Sequence, residues 1–188
     1  MRFKLKILID TREKETKNIH IRKVLEDKGI EYSREKLDVG DYTAIVIFED
    51  GKTYDMRNDI VIERKQQLAE ISNNLTQNGG ERFIRELDKA KANNIKMNLL
   101  IEDDSWYEHL MNQNYMPELM AKDEAYAKRY NPKHRPDLFI GKLLQLKHKY
   151  NFEINGIKKE YTASFIYRYL WGYVRQNSYR MYREAKNN

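Results

Sequence analysis

Alternating and continuous runs of apolar residues mark the strands of this chain. FKLKILID alternates and then becomes apolar, which is typical of a strand that enters a core and ends at Asp10. IEYSREKL and DYTAIVIF are also strand-like, and the second leads through the Asp-Gly turn of EDGK toward DIVIERK, which predicts a hairpin. KMNLLIED predicts one further strand.

Helical spacing of apolar residues appears between and after these strands. NIHIRKVLEDKG predicts a helix that stops at Gly29, and QLAEISNNL and ERFIRELDKAKANN predict two more, separated by TQNGG. The clearest linker is NPKHRP, and two C-terminal helices are predicted in DLFIGKLLQLKHKY and EYTASFIYRYLWGYVRQNSY. Strands and helices alternate, so the pattern predicts an α/β sheet with helices packed against it.

The segment DIVIERK joins a buried strand to three charged residues. Because side chains alternate along a strand, Glu63 and Lys65 share one face with Val61, whereas Arg64 lies on the other. A Glu and a Lys two residues apart at the end of such a strand are typical of restriction-enzyme-like nucleases, in which another acid precedes them on a neighbouring strand. Asp41, in the VGDY turn, is the candidate for that acid, and Asp10 ends a third strand.

These residue types suit metal-dependent phosphodiester hydrolysis. A carboxylate-bound Mg²⁺ supplies a nucleophilic water and neutralises charge on phosphate oxygens, and two or three carboxylates suffice because this ion keeps several waters. Asp10, Asp41 and Glu63 are therefore the candidate metal ligands, and Lys65 is the candidate to orient the water or stabilise the developing charge. Arg12, Arg64 and Arg82 are candidate phosphate contacts, because a guanidinium fork matches two oxygens.

Length and composition narrow the class of protein. A chain of 188 residues fits one domain, and we expect a nuclease core over residues 1–134 with a helical part over 135–188 packed on it. The chain has no cysteine, and its four histidines lack ligand spacing, so a metal would bind carboxylates. No apolar run approaches the roughly 20 residues that span a bilayer, and the N-terminal apolar patch is too short for a signal peptide. We therefore expect a cytoplasmic protein without a membrane partner.

Positive charge is concentrated in the C-terminal quarter. Residues 141–188 contain ten Lys and Arg against three Asp and Glu, whereas the whole chain has a net charge of +6. Half of the 14 tyrosines also lie there. Arg168, Arg175 and Tyr179 are expected on the outer face of the last helix, and basic residues interleaved with aromatic ones favour DNA binding. A solvated helix whose tyrosines pack in the core is the alternative interpretation.

ILIDTRE, LDVGDY and VIERK together resemble the nuclease domain of the XPF family of structure-specific endonucleases. The resemblance continues through ERFIREL and NLLIED to about residue 103, and the later part is similar to compact phage and bacterial members. It implies a restriction-endonuclease-like mixed central sheet flanked by helices, with a helical C-terminal extension. It also implies a Mg²⁺- or Mn²⁺-dependent endonuclease of branched or flapped DNA in recombination or repair, with Asp41 and Glu63 on the metal, Lys65 catalytic, and Asp10, Arg12 and Arg82 in support.

The resemblance further implies a homodimer, but the C-terminal quarter lacks the glycine-containing hairpins of the helix-hairpin-helix module that often accompanies the family. Recognition of a branch would then depend on the basic, tyrosine-rich segment or on a protein partner. The family motif also has an Asp four residues after the Lys, where this chain has Ala69 followed by Glu70. Glu70 and Glu13 are candidate supporting acids.

Two other functions are compatible with the sequence. A non-catalytic DNA- or protein-binding module that retains the nuclease fold is the main alternative, and Ala69 is its best support. In a metal-independent structural protein, the acids would be surface charges. Metal-dependent cleavage distinguishes these hypotheses.

Overall fold

The computed structural model describes residues 1–66, 79–111 and 136–187, together with Leu68, Glu70, Ile71 and Leu75. The strands are Phe3–Asp10 (β1), Tyr32–Glu35 (β2), Tyr42–Phe48 (β3), Thr53–Asp55 (β4), Ile60–Lys65 (β5), Lys96–Ile101 (β6) and Glu153–Gly156 (β7). The helices are Ile19–Asp27 (α1), Gly79–Ala92 (α2), Trp106–Met111 (α3), Pro136–Tyr150 (α4) and Thr162–Asn187 (α5). Short 3-10 turns occupy Glu15–Lys17 and Lys159–Tyr161.

The strands form one mixed sheet in the order β2-β1-β3-β5-β6-β7, with β4 paired to β3. β3 runs antiparallel to both β1 and β5, so β1 and β5 point in the same direction. β6 is parallel to β5, and β7 is parallel to β6. The carboxyl ends of β1, β5 and β6 therefore lie along one edge of the sheet, which brings Asp10, Lys65 and Glu102 to that edge.

Helices cover both faces of the sheet. Ile60 and Ile62 belong to the core cluster that contains residues of α1 and α5, whereas Val61 belongs to the cluster of α2 and α4. Each fully buried aliphatic side chain contributes roughly 1.5–3 kcal/mol. Burial on both faces explains why β5 reads as a continuous apolar run until its charged end.

The last helix, α5, lies along the sheet and is anchored at its far end. Its 26 residues bury one stripe that includes Ile166, Leu170 and Val174 against β1 and β3. Arg180 Nη2 donates a hydrogen bond to Asp59 Oδ1 at 2.7 Å, and Tyr182 Oη donates one to Asp50 Oδ2 at 2.9 Å. Neither α5 nor another helix in the described ranges is long and apolar enough to cross a bilayer.

Most predicted elements are confirmed, and two strands were missed. The hairpin that begins at EDGK pairs β3 with the three-residue β4, whereas β5 joins β3 through the single pair Tyr42 and Ile62. β7 adds a strand to the C-terminal region, where only helices were predicted. Both missed strands are short and lack an alternating apolar pattern, so the sequence carries no period-2 signal for them.

Several sequence predictions fall outside the described residues. They concern most of the helix QLAEISNNL, the first three residues of the break TQNGG, the substitution at Ala69 and most of the linker NPKHRP. The last two residues of that break, Gly79 and Gly80, already belong to α2. The division at residues 134 and 135 also lies outside the described residues and stays a prediction.

Gly40 allows β3 to begin directly against β5. It has a φ of +73°, and a Cβ added there would lie 2.8 Å from the Cβ of Val61. Gly40→Ala therefore combines a left-handed backbone, which costs about 1–2 kcal/mol, with overpacking, which costs about 1–3 kcal/mol. We expect a loss of about 3 kcal/mol in the free energy of unfolding, measured by urea denaturation.

Gly51→Ala is the matched control, because Gly51 has a φ of +84° but nothing within 4 Å of its added Cβ. The free energy of unfolding of Gly51→Ala should fall only by the cost of the left-handed backbone, about 1–2 kcal/mol. Equal losses in the two variants would contradict the close approach of Gly40 to β5.

Candidate active site

A cleft of about 340 Å³ opens at the edge of the sheet where β5 ends. Among the described residues that line it, nine are charged and the tenth is Phe83 of α2. The charged residues come from four segments: Arg12 and Glu13 after β1, Asp41 before β3, Glu63, Arg64 and Lys65 of β5 with Glu70 beyond it, and Arg82 and Glu86 of α2.

Asp41, Glu63 and Lys65 meet in this cleft. The Asp41 N–H donates to the carbonyl of Ile62 at 2.8 Å, and the Arg64 N–H donates to Asp41 Oδ2 at 2.8 Å. Strand alternation places Glu63 and Lys65 on one face, where Lys65 Nζ donates to Glu63 Oε1 at 2.6 Å. Backbone contacts between β3 and β5 therefore determine how the two carboxylates approach each other.

The cleft holds more negative charge than its cations neutralise locally. Burial raises the pKa of Asp41 well above its usual value, and the charges of Glu63 and Glu13 raise it further. Burial, and then the charge of Glu63, raises the pKa of Glu86. Although burial alone would lower the pKa of Lys65, its attraction to Glu63 and Asp41 raises it. Lys65 is therefore a protonated donor at neutral pH.

Asp10 is fully buried and fixes Arg12. Its carboxylate accepts hydrogen bonds from the N–H of Arg12 at 2.8 Å and from Nε of Arg12 at 2.8 Å, with a further contact from Nη2. Arg12 Nη2 also donates to the carbonyl of Leu37 at 2.8 Å. Asp10 thus orients Arg12, which lines the cleft, while its own side chain is absent from the cleft lining.

The three predicted metal ligands do not form a preassembled cage. In the part of the chain that the structure describes, no group of three Asp, Glu, His or Cys residues is arranged to hold an ion. The structure brings Asp41 and Glu63 together with Lys65, and places Asp10 behind them. A metal contact by Asp10 stays a prediction.

Arg64 lies in the protein interior, contrary to its predicted role as a phosphate contact. Its side chain is only 1% exposed, and its Nη2 atom is 2.9 Å from Glu13 Oε2. Its Nη1 atom is 3.1 Å from Glu102 Oε1, an oxygen that also accepts a hydrogen bond from Thr162 Oγ1 at 2.9 Å. The guanidinium therefore holds Glu13 at the cleft and has almost no exposed surface for a phosphate.

The remaining predicted residues occupy different places. Arg82 is at the cleft, its side chain is 64% exposed, and its Nε atom is 3.4 Å from Glu86 Oε1. Glu70 also lines the cleft, where it accepts a hydrogen bond from Lys17 Nζ at 2.7 Å. Although burial alone would raise the pKa of Glu70, the bond from Lys17 lowers it. Arg168 is exposed on α5, outside the cleft.

Sequence reasoning missed Glu86 and Glu102. Glu86 follows Arg82 by one helical turn in a segment that was predicted to be helical, so the i, i+4 spacing was an available signal. Glu102 follows a buried parallel strand, and its position after NLLI was the comparable signal.

A mixed sheet with two carboxylates and a lysine at adjoining strand ends defines a restriction-endonuclease-like nuclease fold. The chain belongs to the ERCC4 domain family, whose model matches residues 9–169. This is a nuclease family, and its members generally depend on a divalent metal ion. No curated protein sequence matches the chain.

Two similar solved structures have the same fold. XPF from Aeropyrum pernix aligns with a TM-score of 0.56 at 15% identity, covering 92% of this chain and 67% of that one. XPF from Aeropyrum pernix in complex with DNA aligns with a TM-score of 0.53 at 14% identity, covering 91% and 66%. The predicted XPF-type nuclease fold is thereby confirmed.

Replacing Asp41 with Asn should leave the metal-free protein at least as stable as the wild type at neutral pH. An unfolded Asp ionises near pH 4, and the pKa of Asp41 is higher in the folded protein. The free energy of unfolding should therefore fall as pH rises from about 4 through the raised pKa. Asn cannot ionise, and its oxygen still accepts from the Arg64 N–H. Urea unfolding in EDTA at about pH 5 and about pH 8 measures the difference.

From the lower to the higher pH, the free energy of unfolding should fall more for the wild type than for Asp41→Asn. If the variant is unfolded at both, Asp41 is a structural acid and its assignment to the site is wrong.

Proposed function

We propose that this protein is a Mg²⁺- or Mn²⁺-dependent endonuclease that cuts branched or flapped DNA in recombination or repair. The observation that carries the proposal is the meeting of Asp41, Glu63 and Lys65 in one charged cleft. The resemblance of the chain to structure-specific nucleases supports the choice of substrate.

The donor set of the cleft fits a hard divalent cation. Asp41 and Glu63 offer carboxylate oxygens, and Mg²⁺ needs one or two carboxylates because it retains several waters. Mutual repulsion contributes to the raised pKa of Asp41, so a bound cation would relieve an unfavourable charge. Such an ion supplies a nucleophilic water and neutralises charge on the phosphate.

The protein's own cations have separate roles in this proposal. Lys65 is protonated and therefore cannot accept a proton from water, but it can donate a hydrogen bond to the developing negative charge. Arg12, oriented by Asp10, and the exposed Arg82 hold the flanking phosphates. The carboxylate of Glu63 has a second task, which is to hold Lys65 in place.

The wider setting of the activity is also part of the proposal. The protein would act in the cytoplasm of a bacterial or phage-infected cell. Homodimerisation and a targeting partner, both implied by the resemblance, stay predictions.

Glu63→Gln should abolish cleavage, because the neutral amide binds a divalent cation poorly while still accepting a hydrogen bond from Lys65. Labelled flap, fork, four-way junction and linear duplex DNA, each with Mg²⁺, Mn²⁺ or EDTA, form the substrate panel. We expect metal-dependent cutting by the wild type, preferentially at branches, and a loss on the order of 100-fold or more in the variant.

Glu81→Gln is the matched control, because Glu81 is an exposed acid of α2 that pairs with Arg85 at 3.6 Å and does not line the cleft. Its activity should equal that of the wild type. Tight DNA binding by the wild type without cleavage of any substrate would instead favour the non-catalytic binding module.

A further inference from the structure

A second groove lies between α1 and α5, among residues that the proposed reaction does not use. It has a volume of about 580 Å³. Val24 and Ile30 contribute apolar surface, and Tyr167 and Trp171 contribute aromatic surface. Lys28 and Arg168 also line the groove, and none of the described residues that line it is acidic.

Trp171 brings a further cation to the groove. Its side chain is 38% exposed, and the guanidinium carbon of Arg175 lies 5.1 Å from the centre of its ring. The donors of a guanidinium lie in its own plane, so stacking on an aromatic ring leaves them available for an anion. The pair therefore places an aromatic surface next to free hydrogen-bond donors.

The cations of this groove have no acidic partners among the residues that the structure describes. Lys28 Nζ donates to the hydroxyl of Ser164 at 2.9 Å, and no carboxylate of the described residues pairs with Arg168. Further along the same helix, Arg180 is by contrast paired with Asp59 at 2.7 Å and with Glu184 at 3.2 Å. Uncompensated positive charge beside an apolar groove favours a ligand that is both anionic and flat.

We propose that this groove binds unpaired nucleotides of a DNA strand, with bases against Tyr167 and Trp171 and phosphates on Lys28, Arg168 and Arg175. The inference rests on the proposed action on branched DNA, because a branch supplies the single strand. Duplex DNA presents its backbone and keeps its bases stacked, so it would leave the apolar surface unfilled. A second copy docked by twofold symmetry would place these cations opposite one another.

Tryptophan fluorescence tests the contact directly. The chain has two tryptophans, so Trp106→Phe leaves Trp171 as its single reporter. In EDTA, an oligothymidylate of about 12 nucleotides should quench this reporter, and a blunt duplex of the same length should quench it far less. Equal quenching by duplex, or no quenching by the oligonucleotide, would overturn the inference.

Binding by variants tests the two parts of the groove separately. In fluorescence anisotropy with a labelled oligothymidylate, Trp171→Ala should weaken binding about tenfold, the effect of losing one base stack. Tyr107→Ala is the matched control, because Tyr107 is 49% exposed on α3, outside both the groove and the cleft, and should change binding little. Equal losses of affinity in these two variants would contradict binding of the DNA strand in the groove.

Replacing both Arg168 and Arg175 with Ala should weaken binding and flatten its salt dependence. Each phosphate contact on a single strand contributes about 0.7 to the slope of log K against log salt concentration, so the slope should fall by about 1.4. An unchanged slope would contradict the phosphate contacts. If sedimentation shows self-association that Trp171→Ala abolishes and the oligonucleotide does not displace, the groove is an interface between copies.

These measurements separate the inference from the proposed nuclease. Binding in EDTA requires neither metal nor Glu63. If the oligonucleotide quenches Trp171 in EDTA but the protein cuts no DNA with Mg²⁺ or Mn²⁺, the groove is retained and the enzyme is rejected. Cleavage of flaps without quenching would retain the enzyme and reject the groove.

Discussion

The arrangement of the cleft depends on the buried guanidinium of Arg64. It joins Glu13 from the loop after β1 to Glu102 from the end of β6, and its own backbone N–H holds Asp41. Glu102 in turn accepts a hydrogen bond from Thr162 at the start of α5. A buried charge costs several kcal/mol unless it is paired, so Arg64, through its side chain and its backbone N–H, helps to fix these segments relative to one another.

The cleft has a fixed geometry, but the arrangement of its charges is unfavourable. Its backbone contacts place Asp41 beside Glu63, and their repulsion opposes folding in the absence of a cation. The fold tolerates this because two helix-covered cores lie on either side of the sheet. Stability gained in the cores thus permits an unfavourable arrangement of charge at the strand ends.

The sequence alone was sufficient for much of this picture because period-2 alternation fixes the faces of a strand. It placed Glu63 and Lys65 together, and the Gly-Asp turn identified Asp41. It failed for Arg64, because the type of residue does not reveal whether a guanidinium meets solvent or buried carboxylates. It also failed for the groove of Trp171. The two sides of this groove are far apart in sequence, since Lys28 and Ser164, which are hydrogen-bonded there, are separated by more than 130 residues.

The position of α5 also constrains how the chain can fold during synthesis. The face of the sheet formed by β1 and β3 is complete in sequence by Phe48, yet its cover includes Ile166, Leu170 and Val174. A ribosome must therefore add more than a hundred residues while that apolar face lacks its final helix. Contacts between residues so far apart in sequence slow folding and prolong the exposure of aggregation-prone apolar surface.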